Sequence, residues 1–351
     1  MAVIGVRMTS IASLALFAGV LLHAFWATAV LGQGPVGRLA PATAPASRPS
    51  PGPLAARYPN DVGIEKDPAV IFADNFDAWP VRAAAAPAGS WDGPIGRGVQ
   101  VVAGKVVQDG REFPGKNILQ LSCFAGGPDT AGIRKLLGDY DNARQGKGPG
   151  LEEVFVRYYQ RLDDGYTAEP NHGANIGGRD VTRPGSWYVG QANCRDVAAR
   201  GYFFSGLQPY EFGRGGRMYW GLYSYHMDKR DQWGDDYRPA PNEKPPAEAG
   251  RWYCLERHMK LNSVNPLKAD GLEELWVDGK LAIRREGLRF RRVPEVRITV
   301  LNLEVYYHHA LAKYDQTHPV TVSYDNVVIA RSYIGPITAT KQKTPASAPS
   351  R

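Results

Sequence analysis

The sequence predicts an all-β protein: a concanavalin A-like jelly-roll sandwich of two sheets, one of them presenting a concave face. Three observations carry that expectation. Short segments alternating apolar and polar residues recur from Val70 to Ile329, with no long amphipathic helix among them. The chain holds 39 glycines and 27 prolines, enough to punctuate many turns. Gly250 to Phe290 reads as a three-strand antiparallel meander. In it Tyr253, Leu255, Arg257, Met259 and Leu261 point one way, and Trp252, Cys254, Glu256, His258 and Lys260 the other. Asn262 to Gly271 is a polar loop, and Asp278-Gly279 joins Glu273–Val277 to Lys280–Arg285 as a two-residue hairpin turn.

Residues 1–31 read as an export segment. Arg7 precedes an apolar run from Ile11 to Leu31, and Ala27-Thr28-Ala29 offers a small-x-small cleavage site. The run is also almost long enough to span a bilayer, so an uncleaved anchor is the alternative. Either reading places the domain outside the cytoplasm: periplasmic, extracellular or membrane-anchored. Any membrane contact would then run through this segment alone. Residues 32–64, rich in Pro, Ala, Ser and Gly, read as a linker, 65–336 as the domain, and 337–351 as a polar tail.

The net charge of +7 belongs mostly to the ends, about +3 before Glu65 and +3 after Pro336, leaving the domain near +1. That balance, with no basic-aromatic module in view, argues against nucleic acid as a partner. Arg284, Arg285, Arg289, Arg291 and Arg292 read as a solvated hairpin face. Cys123, Cys194 and Cys254 show no C-x-x-C spacing, so zinc is not expected. A Cys194–Cys254 disulfide is the favoured pairing, because Cys123 sits beside Phe124 in an apolar setting. No cofactor motif is present, and a structural calcium stays open.

Along the domain, strands are expected at Val70–Phe76, Gly98–Val107 (as strand-turn-strand), Asn117–Phe124, Glu153–Leu162, Trp187–Val189, Gly201–Ser205, Met218–His226, Arg297–Val305 and Thr321–Ile329. Ile133–Leu137 reads as either helix or strand, and Asp139–Gly150 as a Gly-rich loop.

Three clusters are candidates for chemistry. Tyr219, Tyr223 and Tyr225 are evenly spaced and share one strand face, opposite Trp220, Leu222 and His226. Such a row is either core packing or the floor of a sugar site, where rings stack and hydroxyls bond or move protons. Asn171 to Asp180 has three glycines and no apolar period, so it reads as a loop carrying His172, Asn175 and Arg179. Tyr306-Tyr307-His308-His309 is a poor chelate, because adjacent strand residues face apart and no third ligand is in view. The paired carboxylates of glycoside hydrolysis, a G-x-S-x-G elbow, a P-loop and H-E-x-x-H are all absent.

Arg251-Trp252 through Glu256 to Asn262, followed by Leu275-Trp276-Val277-Asp278-Gly279-Lys280, resembles the signature of the family 14 polysaccharide lyases, the alginate and glucuronan lyase type. Val156-Arg157-Tyr158-Tyr159 and Ser323-Tyr324-Asp325-Asn326-Val327 look like further strands of that family, so the resemblance runs from about Phe72 to Ile334. It implies an acidic polysaccharide as partner and β-elimination as the reaction: a cation or amide neutralises the uronate carboxylate, a base takes the C5 proton, and a tyrosine protonates the leaving oxygen. It matches the family's tyrosine pair to Tyr223 and Tyr225. Two departures stand beside it. Ala174 falls where the family has a lysine, and Ser205-Gly206-Leu207 matches its Ser-Ala-Arg strand without the arginine. Arg179, His172 or His226 would then supply the missing polarity. The expected catalytic set is Tyr223, Tyr225 and His172, with Asn175, Arg179, Tyr219, His226 and Ser205 binding substrate. A non-catalytic carbohydrate-binding or envelope-associated protein is the alternative on the same scaffold.

Overall fold

The computed structural model describes residues 52–82, 86–87, 90–96, 98–123, 130–138, 149–166, 171–182, 201–211, 217–230, 232–239, 244–307 and 319–339. The export segment, most of the linker and tail, Trp187–Val189, Cys194, His308 and His309 lie outside them. Among the described residues no helix is long and apolar enough to cross a membrane.

Three 3-10 turns, Leu54–Arg57, Pro59–Asp61 and Ile64–Lys66, lead into the strands. In chain order the first nine strands are β1 (Val70–Asp74), β2 (Pro94–Gly96), β3 (Val99–Ala103), β4 (Val107–Gln108), β5 (Arg111–Glu112), β6 (Asn117–Cys123), β7 (Thr130–Leu136), β8 (Glu153–Leu162) and β9 (Asn171–His172). The second nine are β10 (Asn175–Asp180), β11 (Tyr202–Glu211), β12 (Met218–Tyr225), β13 (Asp235–Tyr237), β14 (Trp252–Lys260), β15 (Gly271–Val277), β16 (Lys280–Leu288), β17 (Val296–Tyr307) and β18 (Val320–Ala330). Sheet A runs β16-β15-β14-β8-β18-β6-β3, with β1 also on β18. Sheet B runs β13-β12-β11-β10-β17-β7-β2, with β9 also on β17. All pairings are antiparallel, as the jelly-roll sandwich requires.

The alternation read from sequence sets the layers. Tyr253, Leu255 and Met259 of β14 face Trp220, Leu222 and Leu207 across the core. Trp220 meets Tyr253 edge-to-face at 5.7 Å, an arrangement that adds about 0.5–1.5 kcal/mol beyond burial. The meander forms as β14-β15-β16, and its turn residues Asp278 and Gly279 both take positive φ, 51° and 77°.

Several expectations are corrected. Asn171 to Asp180 is not a loop: β10 lies buried between β17 and β11. Its glycines are there for close packing, because a Cβ on Gly178 would lie 2.0 Å from the Arg297 carbonyl oxygen and 2.4 Å from the Phe203 ring. Ile133–Leu137 is strand, not helix. The packed fold begins before Glu65 and continues past Pro336. Leu54 and Ile64 are buried against Val328 and Ile334, and Leu54 and Ala55 donate backbone bonds to Tyr333 and Ile334. Ile337 is buried beside Tyr159 and Trp252. This cover buries the second face of β14 as well. Cys254 is a free, buried thiol, which removes its pairing with Cys194. Arg291 is not solvated either: it is 4% exposed and bonds the carbonyls of Asn262 and Val296.

Candidate functional site on the open face of sheet B

Sheet B turns Trp220, Leu222, Ile176, Leu301 and Leu303 inward, so their strand neighbours occupy the opposite, outer face, where Asn175, Asn302 and Tyr225 are buried and Phe204, Tyr223 and Glu304 are partly exposed. Two rows cross that face from strand to strand. In one, the register places Arg134, Asn302, Asn175, Gly206, Tyr223 and Asp236 side by side on β7, β17, β10, β11, β12 and β13. In the next, Leu136, Val300, Gly177, Phe204 and Tyr225 line up the same way.

At the β12 end, the Tyr223 and Tyr225 hydroxyls are 3.4 Å apart. The Tyr225 ring stacks on Phe204 with centroids 4.8 Å apart, and the Gly234 N–H donates to the Tyr223 hydroxyl at 3.0 Å. Gly234 is obligatory, since a Cβ there would lie 2.8 Å from the Tyr223 ring and 2.9 Å from that of Tyr225. Burial, then the contact with Tyr223, raises the Tyr225 hydroxyl well above an ordinary phenol. The hydroxyl therefore stays protonated at neutral pH, on a side chain that is 3% exposed. Lys229, largely buried, holds its Nζ 5.5 Å from the centre of that ring.

At the β17 end, Asn175 is the centre of a polar chain. Its Nδ2 donates to Glu304 at 2.6 Å, its Oδ1 accepts from Asn302 at 3.0 Å, and Arg134 Nε donates to Asn302 at 3.4 Å. Glu304 is partly open to solvent. Burial pushes its carboxyl up to about 7, against the pull of Arg134 and Asn175. Between the two ends stands Gly206. A Cβ placed on it would meet only ordinary contacts, 3.6 Å to Phe204 and 3.8 Å to Asn175 and Tyr223. Gly206 is itself buried but raises no side chain, so the backbones of Asn175 and Tyr223 flank a gap in the row of side chains two strand spacings across, about 10 Å.

The expected site residues divide. Tyr223, Tyr225 and Asn175 come together. Arg179 shares their face but lies four residues along β10, opposite Tyr202, and burial lowers its pKa. Tyr219 sits further along β12, opposite Tyr210 and under Lys244. His172 pairs in register with Tyr306. Ser205 and His226 are corrected, because both sit on the inward side of sheet B. Ser205 is fully buried and accepts from Arg257 at 2.7 Å and Ser224 at 3.1 Å. His226 is 4% exposed, 3.2 Å from Asp235, with its pKa lowered by burial and Arg285. Ala174 and Leu207, matched above to a lysine and an arginine, are core residues, so those two positions do not address the open face.

Glu304, Asn302, Arg134 and Lys229 escaped the sequence reading. The signal for the first two was present: Asn302 and Glu304 are polar at alternate positions of the otherwise apolar run Val300–Val305.

A separate cleft of about 380 Å³ lies between the 3-10 turns and the β1–β18 pair, lined by Asp61, Asp74, Asp77 and Asn326. Its acids are engaged by Arg157, the Trp79 and Trp91 indoles, and the Lys116 and Asn117 amides. Among the described residues no group of three His, Cys, Asp or Glu side chains gathers to hold a metal.

The architecture is that of the jelly-roll polysaccharide lyases. The marine PL-14 alginate lyase from Aplysia kurodai has the same fold with a TM-score of 0.53 and 11% identity, over 75% of this chain and 99% of that one. An alginate lyase, Aly36B, solved as a double mutant with alginate tetrasaccharide, gives 0.51 and 14%, over 76% and 98%. At these identities the likeness is one of fold. No protein-family model and no curated protein matches the sequence.

Proposed function

We propose that the open face of sheet B binds an acidic, uronate-containing polysaccharide outside the cytoplasm and cleaves it by β-elimination. The observation that carries this reading is the paired Tyr223 and Tyr225 hydroxyls facing the Asn175–Asn302–Arg134 chain across Gly206. A sugar ring over Gly206 would set its carboxylate toward the amides and Arg134, whose donors offset the charge that builds up as C5 loses its proton. Tyr225, kept protonated by its surroundings, would give a proton to the glycosidic oxygen as the C4–O bond breaks and a C4=C5 double bond forms. The alginate lyases that share the fold support the substrate class.

A second reading is non-catalytic glycan binding. It is favoured by Ala174 and Leu207, which leave the face without a lysine or arginine at the positions matched to the family's. The test is to incubate the protein with alginate and with glucuronan and record the ultraviolet absorbance of unsaturated uronate. The lyase reading expects that absorbance to grow. Binding without it moves the protein to the second reading, and absence of both removes the face as a uronan site.

A further inference from the structure

An elimination needs a proton acceptor, and Tyr225 is a poor one because its surroundings hold it protonated. We propose that Glu304 is the proton acceptor: its carboxylate takes the C5 proton of the uronate while Tyr225 protonates the departing oxygen. This rests on reading the open face as a uronan site.

The geometry selects Glu304. It stands on the open face of β17, two residues from Asn302, and is tied by one oxygen to Asn175 Nδ2 at 2.6 Å. Asn175 therefore both orients the carboxylate and lies between it and the space above Gly206. On β7 the facing residue is Gly132, which sets no side chain of its own against Glu304; a Cβ there would lie 2.9 Å from the Glu304 Cβ. Among the described residues, the charged and titratable groups around it are Arg134 on β7, Tyr306 on its own strand, and Tyr324 from sheet A, whose hydroxyl bonds the Glu304 carbonyl at 3.0 Å. With its carboxyl held near 7, Glu304 is a stronger base than an ordinary carboxylate and still ionised in part at neutral pH.

The electrons balance. The C5–H pair becomes the C4=C5 double bond, and the C4–O pair stays on the oxygen, which takes the Tyr225 proton. Glu304 ends as the acid and Tyr225 as the phenolate; exchange with solvent resets both.

The experiment compares wild type, Glu304→Gln and Glu304→Asp on alginate and glucuronan, reading kcat and KM against pH, oligosaccharide binding and melting. Glu304→Gln should lose about a hundred- to ten-thousand-fold in kcat with binding within a few-fold, because the amide still accepts from Asn175. It should also lose the rise of activity through pH 7 that is expected of the wild type. Glu304→Asp should keep that rise at reduced kcat, and it decides the matter if Glu304→Gln does not fold. Unchanged kcat and pH profile in Glu304→Gln, or a loss confined to KM, overturns the assignment and leaves the lyase reading standing. A wild type that yields no unsaturated product overturns both.

Discussion

Among the described residues, Glu256 and Glu304 are the two glutamates whose surroundings push them up to about 7, and in both cases burial is the leading cause. Their circumstances differ. Glu256 lies on the outer side of sheet A, 2% exposed, with its two oxygens accepting the Ile334 and Gly335 backbone N–H groups at 2.7 Å each. It pins the segment after β18 over the sheet. Glu304 stands on the open side of sheet B, oriented by one amide and reachable by solvent. A shifted carboxyl therefore marks burial, and access decides whether it can do chemistry.

Substitutions can break or sharpen this contrast. The largest effect is expected at Tyr225, on the same face as Glu304. Tyr225→Phe keeps the ring on Phe204 and removes the hydroxyl, so turnover should fall about a hundred- to ten-thousand-fold with binding and melting unchanged. A fall in melting temperature that carries the activity with it would assign Tyr225 to packing.

A smaller effect, on stability alone, is expected at Glu256. Glu256→Gln offers one carbonyl oxygen to two buried N–H groups, a cost of about 1–3 kcal/mol, with uronan turnover unaffected. Its pH dependence has a definite sign. The folded protein holds the Glu256 proton up to about 7, whereas the ordinary value is 4.5. Between those values the native state binds more protons than the unfolded state, so stability falls as pH rises through the window and is level above it. Glu256→Gln should melt with a shallower decline there; an identical decline would show that Glu256 does not titrate in that window.

The contrast also explains what was legible in the sequence. Strand alternation gave the meander, the tyrosine row and the inward side of β14, because a period of two fixes the face of every side chain. The same period already set His226 opposite Tyr225, and offering both to one ligand ran against it. Asn171–Asp180 misled because its glycines suit a loop by propensity, while the packing of β10 against Phe203 and Arg297 requires them. The burial of Glu256 comes with Ile334 and Gly335, which follow the last strand in a stretch without alternation, so the sequence gives no sign of what they cover. Glu304 went unread because one glutamate in a strand gives no sign of its partners; Asn175 lies 129 residues away.

The central claim is that the uronan lies across the row at Gly206. The most direct measurement is calorimetric binding of alginate and glucuronan oligosaccharides to Gly206→Leu, whose new side chain would fill the space above the sheet and meet no backbone closer than 3.8 Å at its Cβ. The account predicts at least about a tenfold loss of affinity, near 1.4 kcal/mol, with melting close to wild type. Wild-type affinity in a folded Gly206→Leu protein would contradict it.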